Sequence, residues 1–220
     1  MDTQHIIEHL ARNFEHCTGF GHIHPYDLYR SWLEAVWGFL NSAVEPDVYR
    51  ECLDRYTHSQ GEVLGKLFTD YLDAAEQYPF RDILGELFMR LDVRSARAGQ
   101  YFTPWNIALM MAQMQFDPED FKRCVREKGV VTVCDPAVGS GVMLLAFANV
   151  VHDALGSWGL RHLRLYGMDI DIRCVWMCRI QIRLNGLDAL GRMSRLITHV
   201  TDNNSVTPAV DQLLLPGVAA

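Results

Sequence analysis

Apolar residues recur at helical spacing throughout the first 98 residues of the chain. Two stripes have this spacing, the first made by Ile6, Ile7, Leu10 and Phe14 and the second by Leu28, Trp32, Val36, Phe39 and Leu40. Further apolar segments cover 63–72 and 83–91, and glycines or prolines separate the segments. No stretch in this half alternates with a period of two. The pattern therefore predicts a helical N-terminal domain over residues 1–98.

After Gly99 the pattern changes to short apolar runs that alternate with longer segments. Strand character is found at 130–134, 163–168 and 196–201, and helix character at 142–155 and 173–184. Continuous apolar strands separated by helices are typical of a buried parallel sheet. The sequence therefore predicts an α/β domain over 99–220 that contains half of a doubly wound fold.

A turn with a helix after it, and then a short amphipathic stretch, are expected before the first of these strands. The segment Gly99-Gln100-Tyr101-Phe102-Thr103-Pro104 is a turn, with Thr103 predicted to cap the following helix and Pro104 to be its first residue. The short amphipathic stretch over 121–129 ends in Gly129.

Composition excludes several classes of protein. Of the 220 residues, 49% are hydrophobic and 21% are charged, which is too apolar for an intrinsically disordered chain. No apolar run approaches the roughly 18 residues of a membrane span, and the first residues do not resemble a signal peptide. The six cysteines contain no Cys-x-x-Cys pair, which favours reduced thiols and a cytoplasmic location without membrane contact.

The net charge of −7 lies entirely in the first half of the chain. Residues 1–99 carry 16 acidic and 9 basic side chains, whereas residues 100–220 carry 11 of each. Because the chain is not basic, any contact with nucleic acid has to come from a local site rather than from overall charge.

The strongest candidate site is the glycine-rich turn Asp135-Pro136-Ala137-Val138-Gly139-Ser140-Gly141, between a predicted strand and a helix. Glycines there allow a ligand to approach the backbone, and the helix N-terminus offers unpaired N–H groups. The spacing matches neither a phosphate loop nor a complete Gly-x-Gly-x-x-Gly motif. An acid at the strand end suits a ligand with a positive charge. A tight turn without a ligand is the alternative.

A second candidate site follows the next strand, at Gly167-Met168-Asp169-Ile170-Asp171. Doubly wound folds place an acid there to accept hydrogen bonds from ribose hydroxyls. Asp169 suits that role, and Ile170 suits an apolar contact with adenine. The alternative is that the acids cap the next helix, which is the interpretation that fits Asp171 best.

Other residue groups have both a functional and a structural interpretation. The first 24 residues contain five histidines. The spacing of His5 with His9, and that of His22 with His24, would allow each pair to share a metal ion. The other interpretation is that these histidines are solvated or cap helices. Cys174 and Cys178 share a helix face with Ile182 and are expected in the core. Arginines at 173, 179, 183, 192 and 195 either contact phosphates or form a solvated face. The aromatic residues Trp32, Trp37 and Phe39 fit a helical core, whereas Tyr101 and Phe102 are the better functional pair.

Three motifs together resemble a known family. The segments 99–104, 135–141 and 167–171 are similar, in order and spacing, to the adenine-N6 DNA methyltransferases, and most of all to the modification subunit of type I restriction-modification systems. The stretch Asp82-Ile83-Leu84-Gly85-Glu86-Leu87-Phe88 also resembles the segment before the Phe-Thr-Pro motif of that subunit. The resemblance covers 82–187 well and implies a Rossmann-like fold.

The family resemblance implies S-adenosylmethionine as the cofactor. Tyr101, Phe102, Thr103 and Pro104 would lie at its methionine end, and Asp135 would face its ammonium group. The rest of the glycine-rich turn would let the chain pass close to the ligand, through Pro136, Ala137, Gly139, Ser140 and Gly141. Asp169 would hold the ribose and Ile170 the adenine, and Asp202 stands where the family places a further adenine contact.

The family's catalytic motif, Asn or Asp followed by Pro-Pro and an aromatic residue, is missing, because the sequence contains no Pro-Pro pair. The catalytic residues are therefore unknown, and the expected sheet is incomplete. Methylation of adenine in DNA would need a complementing catalytic subunit, and DNA would be read through a specificity subunit. One alternative is a non-catalytic cofactor-binding or interaction module, and another is methylation of a different acceptor, because the glycine-rich motif alone does not fix the substrate. The apolar edge strand at 130–134 is expected to be covered by residues 210–215, by a second copy of the chain or by another polypeptide.

Overall fold

The computed structural model describes residues 3–18, 25–40, 51, 54, 56–91 and 101–187. Before residue 92, the helices whose bounds it gives are α1 (Gln4–Thr18), α2 (Pro25–Leu40), α3 (His58–Gln77) and α4 (Ile83–Arg90). They are followed by α5 (Trp105–Gln115), α6 (Pro118–Lys128), β1 (Val131–Asp135), α7 (Val142–Arg161), β2 (Leu163–Gly167) and α8 (Ile172–Leu184). In the described part of the chain no helix is both long and apolar enough to cross a bilayer.

Local sequence explains where several helices begin and end. At the start of α3, the Thr57 side chain accepts from the backbone N–H of Gln60 while the Gln60 side chain accepts from that of Thr57, which forms a capping box. The Asp117 carboxylate accepts from two backbone N–H groups at the start of α6, and Gly129 ends that helix with φ +78°. These polar groups satisfy backbone atoms that a helix end leaves unpaired.

The predicted cap of α5 is wrong by one residue. Thr103 does not cap this helix, and Pro104 is the boundary residue rather than the first helical one. Pro104 has extended geometry (φ −58°, ψ 142°), and its carbonyl accepts from the backbone N–H groups of Ile107 and Ala108. The helix therefore begins at Trp105 without a side-chain cap.

The two described strands form a parallel pair, as predicted. Their register places Val131 opposite Leu163 and Asp135 opposite Gly167. The strand ends therefore lie side by side, and the loops that follow them meet at one edge of the sheet. The predicted third strand, 196–201, lies outside the described residues. The described chain is thus α/β, mostly helical with a two-stranded sheet.

The connecting helix α7 is interrupted at the point where the sequence predicts its end. Gly156 has φ +59° and ψ −154°, which is not helical, so the regular helix covers the predicted 142–155 before the chain continues to Arg161. A short loop then leads into β2, beside which Val131 donates its N–H to the carbonyl of His162.

Helices α1 to α4 and the α/β part share a hydrophobic core. Cys174, Met177 and Ile180 of α8 belong to the same buried cluster as the apolar faces of α1 to α4. The buried Tyr29 hydroxyl, for example, donates to the Leu84 carbonyl at 2.9 Å. The domain boundary at 98 stays a prediction, and residues 92–100 lie outside the described part.

Candidate functional site

The glycine-rich turn follows β1 directly and leads into α7. Gly139 and Gly141 both have positive φ, at +55° and +98°, a conformation that other residues adopt only with strain. A Cβ atom on Gly141 would lie 2.8 Å from the Cys178 sulfur, so α8 also requires glycine at this position. The turn is therefore shaped by both its backbone conformation and its packing.

Phe102 lies against this turn. A Cβ on Gly139 would be 3.1 Å from the Phe102 ring, whose other neighbour is the Phe88 ring at a centroid distance of 5.1 Å. The segment from Tyr101 to Pro104 is thereby brought to the glycine-rich turn. Tyr101 itself is 76% exposed and so is accessible to a ligand.

Asp169 connects the two strand ends. Its Oδ2 accepts from the Gly139 N–H at 2.9 Å, and its Oδ1 accepts from the Asp171 N–H at 2.9 Å. Each carboxylate oxygen has two lone pairs, so both can still accept from a ligand hydroxyl. The neighbouring Ile170 is 82% exposed, which for a large apolar side chain beside a polar site favours a ligand contact.

Asp135 is half-buried at the end of β1. Its Oδ1 accepts from the backbone N–H of Ala137 at 3.0 Å, which tightens the turn. The residues Asp135, Pro136, Ala137 and Thr103 line a cavity of about 400 Å³, whose apolar wall comes from β1, α5 and α7. A larger cavity, of about 670 Å³, is lined by Phe102, Thr103 and Pro104 together with Asp82 and residues of α1 and α4.

The N-terminus of α7 begins at this same turn. Its boundary residue is Gly141, and no side chain in the described structure caps the helix. The first backbone N–H groups of such a helix carry partial positive charge and attract anions. The turn therefore combines a carboxylate with an anion-attracting helix end, which suits a ligand that carries both charges.

Ser140 is held by a buried polar cluster that the sequence pattern does not indicate. Its hydroxyl donates to Asp82 Oδ2 at 2.5 Å, and its carbonyl accepts from Gln181 Nε2 at 3.0 Å. The Gln181 amide also donates to Asp82 Oδ1 at 2.8 Å. Burial raises the pKa of the Asp82 carboxyl, although hydrogen bonds from Gln181, Ser140 and Gly85 oppose the change.

A protein-family comparison decides the relationship of this chain. The model of the N-6 DNA methylase family matches residues 80–209. The chain belongs to the N-6 DNA methylase family. No curated protein and no solved structure shows a significant match to the chain.

The family assignment confirms the resemblance of the three motifs to the adenine-N6 DNA methyltransferases. Residues 80–209 include the Asp82 segment, the Phe102-Thr103-Pro104 turn and both strand-end loops. A DNA adenine methyltransferase-like function follows from membership, because methylation of adenine N6 in DNA is what this family is named for.

In this methylase-family chain, Arg173 fits neither of the two sequence interpretations, which are a phosphate contact and a solvated helix face. Arg173 is buried, donates to both oxygens of Asp171, and lies over the Phe88 ring at 4.9 Å. Arg179 stacks over the Trp37 ring at 4.8 Å. The sequence does not reveal this, because the aromatic partners come from distant helices. Positions 192 and 195 lie outside the described residues.

Asp171 caps α8, as one of the two sequence interpretations predicts. Its side chain accepts from the Arg173 backbone N–H at 2.9 Å. Cys174, Cys178 and Ile182 are buried as predicted, and burial raises the pKa of both thiols. These cysteines are therefore core residues of the helix.

The aromatic and histidine predictions have mixed outcomes. Trp32 is buried in the helical core and Trp37 packs against it, whereas Phe39 is 47% exposed and contacts Phe68. On α1, His9 lies 3.5 Å from Asp70. Within the described residues no three potential ligands are grouped for a metal ion.

Several positions that the sequence singles out lie outside the described residues. They are Asp202, His22, His24, Gly99 and Gln100. Their predicted roles remain predictions.

Proposed function

We propose that this chain binds S-adenosylmethionine and supplies the cofactor-binding part of a DNA adenine-N6 methyltransferase. The contact of the Phe102 ring with Gly139 is the observation that carries the proposal. It joins two sequence-distant motifs at the edge where both described strands end. In this proposal the two strands belong to a Rossmann-like sheet.

The residues present fit this cofactor. S-adenosylmethionine carries an ammonium group, a carboxylate, a sulfonium and an adenosine. Asp135 matches the ammonium by charge, and the uncapped N-terminus of α7 matches the carboxylate. Asp169 has lone pairs for ribose hydroxyls, and the exposed Ile170 offers an apolar surface for adenine. Tyr101, Thr103 and Pro104 complete the wall beside Phe102.

The remaining positions of the turn act through their backbone. A ligand can lie close to the backbone of Pro136, Ala137, Gly139 and Gly141. The hydrogen bond from the Ser140 hydroxyl to Asp82 holds the turn in place. When bound, the cofactor supplies a methyl group activated by the positive charge on sulfur. The protein's part is to hold that group in one orientation and to exclude water from it.

The base-binding part of the reaction needs residues that the 220 positions do not include. The sequence has no Pro-Pro pair, so the motif that holds a flipped adenine is not found in it. We propose that the chain acts as a modification subunit of type I character. In that role a complementing catalytic segment and a specificity subunit provide contact with DNA.

A second candidate function follows from the same observation. A chain with the cofactor site but without the base-binding motif serves as a cofactor-binding or interaction module of a larger assembly. Both candidate functions require the chain to bind the cofactor, but only the methyltransferase transfers a methyl group to DNA.

The experiment that separates them is a radiolabel transfer assay. Unmethylated DNA is incubated with tritiated cofactor and the protein, alone and with the products of neighbouring genes. Transfer under any pairing that is lost with Asp135→Ala supports the methyltransferase. If the protein binds the cofactor but transfers no methyl group, either alone or with any of the neighbouring gene products, the result supports the cofactor-binding or interaction module.

A further inference from the structure

The side chain of Asp82 lies beneath the glycine-rich turn, although it is 58 residues away from Ser140 in sequence. It belongs to the short loop before α4 and caps that helix by accepting from the Gly85 N–H at 3.0 Å. It also accepts from the Ser140 hydroxyl and from the Gln181 amide. Asp82, Ser140 and Gln181 are each no more than 3% exposed.

Gly85 packs directly against this carboxylate, at the wall of the larger cavity. A Cβ atom on Gly85 would overlap Asp82 Oδ2 and would lie 2.5 Å from the Ser140 hydroxyl oxygen. No larger residue therefore fits at position 85 without moving the cluster. The Gln181 side chain also accepts from the Leu84 N–H at 3.1 Å, which ties α8 to the start of α4.

Ser140 stands between the two glycines whose positive φ values shape the turn. Its hydroxyl is fixed by Asp82 and its carbonyl by Gln181, while the neighbouring Gly139 N–H is fixed by Asp169. Three hydrogen bonds thus hold the turn in place. A buried polar cluster in which each member is paired favours one arrangement of the backbone.

From these contacts we infer that Asp82 is a positioning residue for the cofactor-binding turn, acting through Ser140. Asp82 is only 3% exposed, and both of its carboxylate oxygens accept hydrogen bonds from the protein itself. Its function is to hold residues 139–141 in the conformation that accepts the ligand. This inference rests on the proposed cofactor site.

Two substitutions at Asp82 separate the hydrogen bonds from the charge. In Asp82→Asn, the amide oxygen still accepts from Gly85 and Gln181, and the amide nitrogen donates to a Ser140 hydroxyl that reverses its role. In Asp82→Ala, the donors of Gly85, Ser140 and Gln181 lose their shared acceptor. Ser140→Ala removes the contact from its other end and keeps the cap of α4.

The matched control is a core variant remote from the turn. Trp32 is buried among the N-terminal helices and donates its indole N–H to the Leu64 carbonyl at 3.2 Å. Trp32→Phe therefore also deletes a buried hydrogen bond without touching the turn. All variants are titrated with S-adenosylmethionine by calorimetry at a temperature where each is folded by circular dichroism.

We expect Asp82→Ala and Ser140→Ala each to weaken cofactor binding by about tenfold. The double variant is expected to bind the cofactor no more weakly than the single variant with the lower affinity. Asp82→Asn and Trp32→Phe are expected to bind within about threefold of wild type. Equal binding by wild type and Ser140→Ala would overturn the inference and leave the proposed function standing. Loss of binding in Trp32→Phe as large as in Ser140→Ala would also overturn it.

A second readout does not use the cofactor. Hydrogen exchange of the amides at 138–142 is expected to accelerate in Ser140→Ala and Asp82→Ala, and not in Asp82→Asn or Trp32→Phe. Unchanged exchange in Ser140→Ala would overturn the inference. If wild type binds no cofactor while exchange responds as expected, the proposed function fails and Asp82 still positions the turn.

Discussion

The Asp169 carboxylate accepts a hydrogen bond of 2.9 Å from the backbone N–H of Gly139, 30 residues earlier in the chain. This contact joins the loop after β2 to the turn after β1 at the candidate site. The same carboxylate also accepts from the Asp171 N–H through its other oxygen. Asp169 therefore has a structural role as well as the proposed contact with ribose.

Asp169→Asn is expected to destabilise the protein by about 1–2 kcal/mol, because an amide can accept from only one of the two N–H groups and places its own donor against the other. Urea denaturation measures this change. Asp73→Asn, on the exposed face of α3, is the control and should change stability by less than about 0.5 kcal/mol. Equal stabilities for the two variants would show that the Asp169 contacts contribute nothing.

Gly141→Ala is expected to cost about 3 kcal/mol, because the residue has φ +98° and the added Cβ would meet α8. That Cβ would lie 2.8 Å from the Cys178 sulfur and 3.3 Å from the Cys178 Cα. Gly65→Ala is the matched control, because Gly65 lies within α3 with nothing within 4 Å of an added Cβ. This control should stabilise the protein by about 0.5–1 kcal/mol. Thermal unfolding of both variants tests the pair, and destabilisation of similar size in the two would contradict the packing argument.

Asp82 is expected to make stability depend on pH. Burial raises the pKa of its carboxyl in the folded protein above the ordinary value of an aspartate, which the unfolded chain retains. The folded state therefore binds the proton more tightly, and the free energy of unfolding falls as pH rises from the unfolded-state pKa through the folded-state pKa. Above the folded-state pKa the loss is complete.

Asp82→Asn removes this dependence and keeps the hydrogen bonds. The stability of the variant relative to wild type should increase from about pH 4 up to the folded-state pKa and then level off. The total increase should be about 1.4 kcal/mol for each pH unit that separates the folded-state pKa from the unfolded-state pKa. Burial raises the pKa of Glu86 too, and the Asp82 charge adds to that change, so the substitution also removes part of the pH dependence that comes from Glu86. Urea denaturation across this pH range is the measurement, and a constant difference between the proteins would refute the prediction.

The outer edge of β1 is expected to be covered in the native protein. Val131 donates to His162 and the Asp135 carbonyl accepts from Met168, so these residues face β2. Because the direction alternates along a strand, the N–H groups of Thr132 and Cys134 point away from β2. Among the described residues, β1 pairs with β2 alone.

Hydrogen exchange and light scattering together test this prediction. Slow exchange at Thr132 and Cys134 would show that another segment, a second copy or a partner pairs with the edge, and the measured mass would distinguish a dimer from a monomer. Fast exchange at both amides in a monomeric protein would contradict it.

The sequence predicts those parts of the structure that depend on local patterns. The β-branched run predicts β1 to within one residue, and the regular part of α7 ends before Gly156, as the predicted bounds 142–155 require, since glycine favours non-helical backbone in any tertiary context. The family resemblance places Phe102 and Gly139 at one cofactor, whereas the close packing of the ring against Gly139 is not predicted from the sequence. No rule of spacing within the chain brings these two segments together.

The rest depends on tertiary contacts that the sequence pattern does not encode. Asp82 meets Gln181 across 99 residues, and Arg173 is buried with Phe88 against its guanidinium group. The sequence favours the surface or a phosphate for this arginine, because charged residues are rarely buried without a partner. That partner is Asp171, which the sequence suggests only as a helix cap. The predicted cap of α5 is wrong because Pro104 itself forms the boundary.

The most direct test of the central claim is a calorimetric titration of the wild-type chain with S-adenosylmethionine, repeated with Asp135→Asn. We expect saturable binding with a stoichiometry of one. Loss of the Asp135 charge should weaken that binding by at least about tenfold. Wild-type protein that is folded and shows no binding heat at millimolar cofactor would contradict the claim, as would equal affinities for the two proteins.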